Sequence, residues 1–242
     1  MRTVNVLSVD WDFFINVSLN ERIALFPDVT SENIDTRVFN FVWATRYAES
    51  MIANKSIKKI GVYKGYAKLK TFLSNLPSTI PVLITDSHEH AYQFFKEENH
   101  LLNVVNIDLH HDMYRTGADV DCGNWLLKLV EENRVNSITW VNHEDSDIGD
   151  VQNYKNLQIT TNINSVLNRS YSRVFICRSS VWSPPHLDKK FIELCMSMKA
   201  ARKSIDIAEI EKFDRYKQIE ETIPFLVKQL EFMNNSEVFK NL

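Results

Sequence analysis

The residues best suited to chemistry are two carboxylates and an imidazole at alternate positions, Asp108, His110 and Asp112, directly after an apolar run at 104–107. Side chains alternate along a strand with a period of two, so a strand that continues from this run directs all three to one side. Oxygen and nitrogen donors of this kind bind divalent ions such as manganese, zinc or iron. Like charges gathered at a strand end repel each other unless a cation neutralises them. The spacing therefore predicts a metal site.

Three further polar clusters also follow apolar runs. They are Asp10 with Asp12, His88 with His90, and the group His143, Glu144 and Asp145. Each has a simpler interpretation, because aspartates cap turns, a histidine often begins a helix without binding a ligand, and charged triplets form solvated loops. Ligands of open α/β sheets gather at the carboxyl ends of strands, so the shared position of the clusters favours one common site.

Runs rich in Val and Ile predict strands, and they alternate with segments of helical periodicity. The predicted strands are 4–9, 59–63, 81–84, 103–107, 137–141, 157–160 and 173–177. The predicted helices are 34–53, 67–75, 89–98 and 124–133, followed after Pro184 and Pro185 by 187–201 and 207–233. This alternation favours an α/β fold with three layers, α/β/α, and a mostly parallel sheet. The helix residues expected in the core are Phe39, Phe41, Trp43, Tyr47, Phe72 and Leu73.

Composition and charge limit the possible domain organisation, partners and cellular location of the protein. The 242 residues, 44% hydrophobic and 24% charged, fit one domain over 1–242, with C-terminal helices from about 187 that pack on the domain or on a second copy in a homo-oligomer. A net charge of -3 without a basic stripe argues against nucleic acid as a partner. No apolar run approaches the ~20 residues of a membrane span, and no signal peptide is evident, so we expect a cytoplasmic protein without membrane association.

Glycine and cysteine exclude other chemistries. The five glycines form neither a dinucleotide-binding motif nor a phosphate loop, which disfavours nucleotide cofactors. The three cysteines, Cys122, Cys177 and Cys195, are too few and too scattered for a disulfide framework or a cysteine-type zinc site. We therefore expect them to be reduced and structural.

The motifs resemble the arginase and deacetylase superfamily of metallohydrolases, whose arginase branch carries D-x-H-x-D at a strand end. The matching residues are Asp108, His110 and Asp112 for that motif, Ser8, Asp10 and Asp12 for an S-x-D-x-D strand end, His88 for a preceding histidine, and Gly123 with Asn124 for a glycine-asparagine pair. The S-x-D-x-D strand is N-terminal here instead of late, which implies a rearranged strand order. The chain also resembles the small peptide-arginase family of ribosomal peptide pathways, through an N-W pair and the W-S-P-P segment at 182–185. The resemblance covers most of 1–186.

The resemblance implies two manganese ions. One ion is expected on His88, Asp108, Asp112 and Asp10, and the other on His110, Asp108, Asp10 and Asp12, with Asp108 and Asp10 as bridges. Several carboxylates with two imidazoles suit two such ions better than one. His88 is favoured over His90, which lies inside the predicted helix, but the sequence leaves the choice open.

The implied reaction converts an arginine side chain of a precursor peptide to ornithine and urea. Two ions lower the pKa of a shared water and make it a nucleophile at neutral pH. His111 and His143 are candidates to protonate the leaving amine, because imidazole titrates near neutral pH. Glu144 or Asp145 is the candidate carboxylate for the guanidinium group.

Three other functions fit the same residues. The first is a deacetylase-like amidohydrolase with a single zinc on Asp108, His110 and one further aspartate, although the remaining donors exceed what one open tetrahedral site needs. The second is a ureohydrolase that acts on a free guanidino compound. The third is a binding protein whose carboxylates hold a structural ion.

Overall fold

The computed structural model describes residues 2–29, 35–149, 151, 154–200, 202–204 and 214–236. The strands are β1 (Thr3–Asp10), β2 (Ile15–Asn16), β3 (Gly61–Val62), β4 (Val82–Thr85), β5 (Leu101–Ile107), β6 (Val135–Val141), β7 (Leu157–Thr160), β8 (Arg173–Cys177) and β9 (Arg202–Ser204). The α-helices are α1 (Leu19–Leu25), α2 (Thr36–Ile52), α3 (Gly65–Ser74), α4 (His90–Lys96), α5 (Trp125–Glu131), α6 (Asn164–Leu167), α7 (Asp188–Met196), α8 (Arg215–Ile219) and α9 (Thr222–Asn235).

Seven strands form one sheet in the order β7-β6-β5-β1-β8-β4-β9. Every neighbouring pair in this sheet is parallel. β1 lies near the centre, where it pairs with β5 along seven residues up to Val9 opposite Ile107, and with β8 up to Asp10 opposite Cys177. The short strands β2 and β3 pair antiparallel, outside this sheet.

Side chains of the central strand alternate between two hydrophobic cores. Leu7 and Val9 lie in the first core, where α2, α3 and α7 cover the sheet. Val6 lies in the second core, together with Phe95 of α4 and Trp125 of α5. Helices therefore pack on both faces of the parallel sheet, and the predicted three-layer α/β/α fold is confirmed.

The carboxyl ends of four neighbouring strands meet at one edge of the sheet, because the strands are parallel. Asp10 is the last residue of β1, Asp108 follows β5, and His88 follows β4. The chain passes from β4 on one side of β1 to β5 on the other, and returns to β8 beside β1. Crevices at such switch points are the usual ligand sites of open α/β sheets.

Some predicted elements differ from the structure. The predicted strand 59–63 is wrong as a strand of the main sheet: Ile57–Lys59 is a 3-10 helix, and only Gly61–Val62 pairs, with β2. Its uninterrupted apolar stretch is too short to cross the sheet. The predicted helix 207–233 ends in two helices, α8 and α9, and its first seven residues lie outside the described residues, as do residues 34 and 201 of the neighbouring predictions. The sequence also gave no sign of β9.

Helix residues confirm most of the predicted core. Phe39, Trp43 and Tyr47 of α2 are buried, whereas Phe41 is 57% exposed and the prediction for it is wrong. A helix turns by about 200° over two residues, so Phe41 lies on the face opposite Phe39. α9 packs against α2. Among the described residues, no helix is both long and apolar enough to cross a lipid bilayer.

Candidate metal centre

The fold brings all six predicted metal ligands to the edge where β1, β4 and β5 end. These residues are Asp10, Asp12, His88, Asp108, His110 and Asp112. Five of them are buried, and the side chain of His110 is 41% exposed. Residues separated by as many as 102 positions in the chain, Asp10 and Asp112, therefore belong to one cluster, with His110 on its solvent side.

The first group of donors surrounds the ring of His88, and we call it the His88 position. Nδ1 of His88 lies 3.2 Å from Oδ2 of Asp10, 3.4 Å from Oδ2 of Asp108 and 3.6 Å from Oδ2 of Asp112. Two donors that each bind an ion at roughly 2.1 Å lie about 3.0 to 3.4 Å apart when they subtend 90 to 110°. The spacing of this buried Asp/His group thus suits a metal ion.

The second group, the His110 position, contains Asp12, Asp108 and His110. Nδ1 of His110 lies 3.7 Å from Oδ1 of Asp108 and 4.0 Å from Oδ2 of Asp12. Asp108 therefore directs one carboxylate oxygen to each position. The backbone N–H of His110 donates to the same Oδ1 at 2.8 Å, which fixes the orientation of the carboxylate. One aspartate is placed to bridge two positions.

Buried oxygens without hydrogen-bond partners test whether a cation fits here. Both carboxylate oxygens of Asp12 and Oδ2 of Asp108 are buried and accept no hydrogen bond. A buried carboxylate without compensation costs several kcal/mol, so native proteins pair it or let it coordinate a metal. Three such oxygens, at the two positions, are the donors that a divalent ion needs.

Charge in the cluster shifts the pKa values strongly. Burial raises the pKa of Asp12 to about 8, and the charge of Asp10 adds to the shift. Burial likewise raises the pKa of Asp112 well above its usual range, with Asp108 adding to it. Burial opposes ionisation of His88, but the charges of Asp112, Asp10 and Asp108 outweigh it and raise its pKa to about 10. Without a metal ion, the cluster therefore keeps protons on these groups, and the protons offset the negative charge that a bound cation would otherwise offset.

Asp108 and His110 shift in opposite directions. Burial acts to raise the pKa of Asp108, but hydrogen bonding to His110 and the charge of His88 outweigh burial and lower it. For His110, burial acts to lower the pKa, and hydrogen bonding to Asp108 and the charge of Asp12 raise it to about 9. Asp108, the shared carboxylate, is therefore the one that favours its ionised form.

Neighbouring residues fix the ring of His88. Its Nε2 shares a hydrogen bond of 2.8 Å with the hydroxyl of Ser8, which leaves Nδ1 to face the carboxylates. The ring stacks between Trp125, at 5.6 Å between centroids, and Phe175, at 5.4 Å. Metal-binding histidines commonly use the second nitrogen in this way. His90 begins α4 and is half-buried, so the geometry favours His88 as the donor.

Trp125 also positions Asp112. Its indole N–H donates to Oδ2 of Asp112 at 2.7 Å. The backbone carbonyl of Asp112 accepts the N–H groups of Leu126 and Leu127 at the start of α5, and its φ is 55°. A positive φ is uncommon outside glycine and, in a residue held this way, marks stored strain. Trp125 therefore holds a carboxylate of the cluster in place.

The segment after β8 supports Asp10. Ser179, whose φ is 47°, donates its hydroxyl to Oδ2 of Asp10 at 2.8 Å. The preceding residue, Arg178, is buried and forms a bidentate ion pair with Asp86, at 3.0 and 2.7 Å. Burial acts to raise the pKa of Asp86, but the charge of Arg178 outweighs it and lowers the value. The sequence did not predict the contact of Ser179 with Asp10 or the ion pair of Arg178 with Asp86, because both contacts depend on which strands lie side by side.

A cavity of about 300 Å³ opens beside the His110 position. Its lining includes Asp12 and His110 together with Arg22, Phe26, Asp28 and Trp182. Arg22 donates to the backbone carbonyl of Asp12 at 3.1 Å, and its guanidinium carbon lies 5.2 Å from the centre of the Phe26 ring. The cavity thus combines carboxylates and aromatic rings next to the cluster.

The predicted catalytic residues lie in two other places. His111 is buried and lines a different cavity, of about 630 Å³, and its Nδ1 accepts the N–H of Met113 at 2.9 Å. His143 packs its ring against Phe13 and Tyr63. The roles of both histidines in proton transfer stay predictions.

The loop after β6 holds the two remaining candidates. Oδ2 of Asp145 accepts the backbone N–H of Leu19 at the start of α1, at 3.1 Å, and its own N–H donates to His143. Glu144 is exposed. This loop therefore anchors α1, and binding of a guanidinium by Glu144 or Asp145 stays a prediction.

No protein-family model matches this chain, and comparisons with curated proteins and with solved structures also give no match. The function must therefore be inferred from the geometry of the site. That geometry is a buried Asp/His cluster with the donors to hold metal ions, beside a small cavity whose lining combines apolar residues with Asp12, Arg22, Asp28 and His110.

Proposed function

We propose that this protein is a binuclear metal hydrolase of the arginase type, which converts arginine side chains of a peptide to ornithine and releases urea. The observation that carries the proposal is the orientation of Asp108, whose two oxygens face His88 and His110 separately. Together with the three aspartates and two histidines around it, Asp108 supplies an oxygen and nitrogen donor set, which suits manganese.

Each residue has a distinct task in this proposal. Asp10, Asp112 and His88 would hold one ion, Asp12 and His110 would hold the other, and Asp108 would offer one oxygen to each. Two divalent ions in such a site supply a water that loses its proton near neutral pH and attacks an electrophilic carbon. The chain itself fixes the donors, through the bonds from Ser8 to His88 and from Trp125 to Asp112.

The cavity beside His110 is the proposed substrate pocket. Its volume of about 300 Å³ is at the lower end of ligand pockets and suits one long side chain. Asp28 offers a carboxylate, and Trp182 offers a ring face, for a guanidinium group. Arg22 occupies the Phe26 ring and the carbonyl of Asp12, so a substrate guanidinium would bind at Asp28 and Trp182 instead.

Urea release tests the proposal directly. Protein stripped with a chelator and reloaded with manganese is offered an arginine-containing peptide or free arginine. We expect manganese-dependent urea from the peptide, and none from the Asp108→Asn variant. Urea from free arginine alone would identify a ureohydrolase of small guanidino compounds. The preference for a peptide derives from the resemblance to peptide arginases, so this comparison is its only test.

A second candidate is a single-zinc amidohydrolase, which is favoured by the group Asp12, Asp108 and His110 taken alone. The two candidates differ in what the His88 position contributes. In a binuclear enzyme, Asp112→Asn lowers the metal content from two ions to about one and abolishes turnover. In a single-zinc enzyme, the same variant keeps one zinc and most of its activity, whereas Asp12→Asn loses both.

A further inference from the structure

Cys177 lies beside the His88 position. It ends β8 opposite Asp10 of β1, and both side chains are buried. The sulfur of Cys177, a carboxylate oxygen of Asp10 and a ring nitrogen of His88 all lie within 4.8 Å of one another. This is the third group of metal-type donors among the described residues, and it shares two members with the His88 position.

A chain of hydrogen bonds orients the sulfur. The hydroxyl of Ser179 donates its single proton to Oδ2 of Asp10, at 2.8 Å. The 3.2 Å contact between Sγ of Cys177 and Oγ of Ser179 is therefore donated by the thiol. The sulfur is thus held next to the carboxylate whose Oδ2 faces Nδ1 of His88 at 3.2 Å.

A second observation, a buried oxygen of Asp108, also indicates a cation at the His88 position. Oδ2 of Asp108 is fully buried, accepts no hydrogen bond, and lies 3.4 Å from Nδ1 of His88. This oxygen faces the His88 position, where Asp10 of β1 and Cys177 of β8 also lie. A carboxylate oxygen left in this state calls for a cation within its reach.

We propose that Cys177 is a ligand of the ion at the His88 position, and that the sulfur makes this position prefer zinc, cobalt or iron(II) to manganese. The inference rests on the proposed function, since it concerns the same metal centre. It implies a mixed pair, with manganese kept at the all-oxygen and nitrogen His110 position. Thiolate donors select borderline and soft ions over manganese.

Coordination changes no oxidation state. The S–H bond of Cys177 breaks heterolytically, the proton leaves to solvent, and the sulfur electron pair forms the bond to the ion. Ser179 keeps its own proton and its bond to Asp10.

Cobalt is the probe, because a thiolate bound to cobalt(II) gives an intense charge-transfer absorption in the near ultraviolet that carboxylate and imidazole ligands lack. Stripped protein is loaded with cobalt, and bound cobalt is counted by mass spectrometry. We expect the absorption in the wild type and in Cys195→Ser, a matched control that removes an equally buried thiol. We expect its loss in Cys177→Ser.

A third variant guards against misfolding of Cys177→Ser. The double variant Cys122→Ser with Cys195→Ser keeps Cys177 as its only thiol, since the chain has three cysteines. The absorption in this variant assigns the ligand by itself. Cobalt bound without the absorption, or an absorption that persists in a folded Cys177→Ser protein, overturns the inference.

Competition between zinc and manganese gives an independent readout. Cys177→Ser should lower zinc affinity by about tenfold or more, with a smaller change for manganese. Equal changes for both ions contradict a thiolate ligand. Absence of cobalt binding would contradict both this inference and the proposed metal centre. Cobalt binding without a thiolate absorption would contradict this inference alone, and urea release would still test the proposed function.

Discussion

Replacing Asp12 by asparagine should stabilise the metal-free protein while it destroys metal binding. Asp12 is fully buried, and both of its carboxylate oxygens accept no hydrogen bond. Its nearest cation is Arg22, at 3.7 Å, which is too distant for a hydrogen bond. The ionised side chain therefore destabilises the metal-free fold. Asparagine removes the charge and keeps nearly the same side-chain shape.

The magnitude follows from the pKa. Burial and the charge of Asp10 raise the pKa of Asp12 from 3.8 to about 8, a shift of about four units. Each unit corresponds to about 1.4 kcal/mol, so the full cost above pH 8 is on the order of 6 kcal/mol. A buried, poorly bonded amide costs about 1 to 3 kcal/mol in return. We expect a net gain of roughly 3 kcal/mol at pH 8.

The sign of the pH dependence follows from linkage. The folded protein binds a proton on Asp12 between pH 4 and pH 8 where the unfolded chain does not, so stability falls as pH rises through this range. The raised pKa values of His88, about 10, and His110, about 9, contribute stability that is complete below pH 6.5 and lost as pH rises to those values. The chelated wild type should therefore lose stability from pH 6 to pH 9.

Thermal unfolding in chelator at several pH values checks this prediction. Asp12→Asn should raise Tm at pH 8 by at least about 4 °C, and should lower it somewhat near pH 4, where Asp12 is neutral and only the cost of the buried amide remains. Manganese should raise the Tm of the wild type increasingly with pH, and that of the variant far less. Asp28→Asn is the control, because Asp28 is an exposed carboxylate in the same cavity. A lower Tm for chelated Asp12→Asn at pH 8 would refute the reasoning.

Three other variants have expected outcomes. Ser8→Ala removes the hydroxyl that holds the ligand histidine, and should weaken metal binding about 10- to 100-fold with the fold intact, as calorimetric titration would show. Trp125→Phe keeps a ring but loses the N–H bond to Asp112, so metal affinity should fall in the same range; unchanged affinity would contradict a positioning role. Arg178→Met leaves Asp86 without its ion pair and should cost about 3 kcal/mol in denaturant unfolding, whereas a loss under 1 kcal/mol would show the pair to be dispensable.

Alternation along strands made much of the site predictable from sequence. Asp10 and Asp108 each follow a mostly apolar run, and such runs become buried parallel strands whose carboxyl ends share an edge. His88 follows a third run in the same way. The convergence of these residues needed no knowledge of strand order, because any parallel arrangement brings strand ends to one side of the sheet.

Strand order decided what the sequence could not predict. Cys177 and Ser179 reach Asp10 only because β8 lies beside β1, although more than 160 residues separate them. The loop with Asp145 faces α1 because Leu19 offers it a free N–H, and no local pattern specifies that partner. Contacts between distant segments depend on tertiary packing, which periodicity does not encode.

The same contacts are costly to the fold in the absence of cations. A chain selected only for stability would not bury Asp12 and Asp112 beside Asp108, because burial and mutual repulsion raise the pKa of the first two carboxyls. It would also not hold Asp112 and Ser179 at positive φ, where side chains add strain. These unfavourable features accompany the orientation of carboxylate oxygens toward His88 or His110. The surrounding hydrogen bonds and aromatic stacking offset the costs in part, and in the proposed metal centre bound ions would supply the remaining compensation. Removal of a buried carboxylate should therefore stabilise the metal-free fold while it weakens metal binding, as predicted for Asp12→Asn.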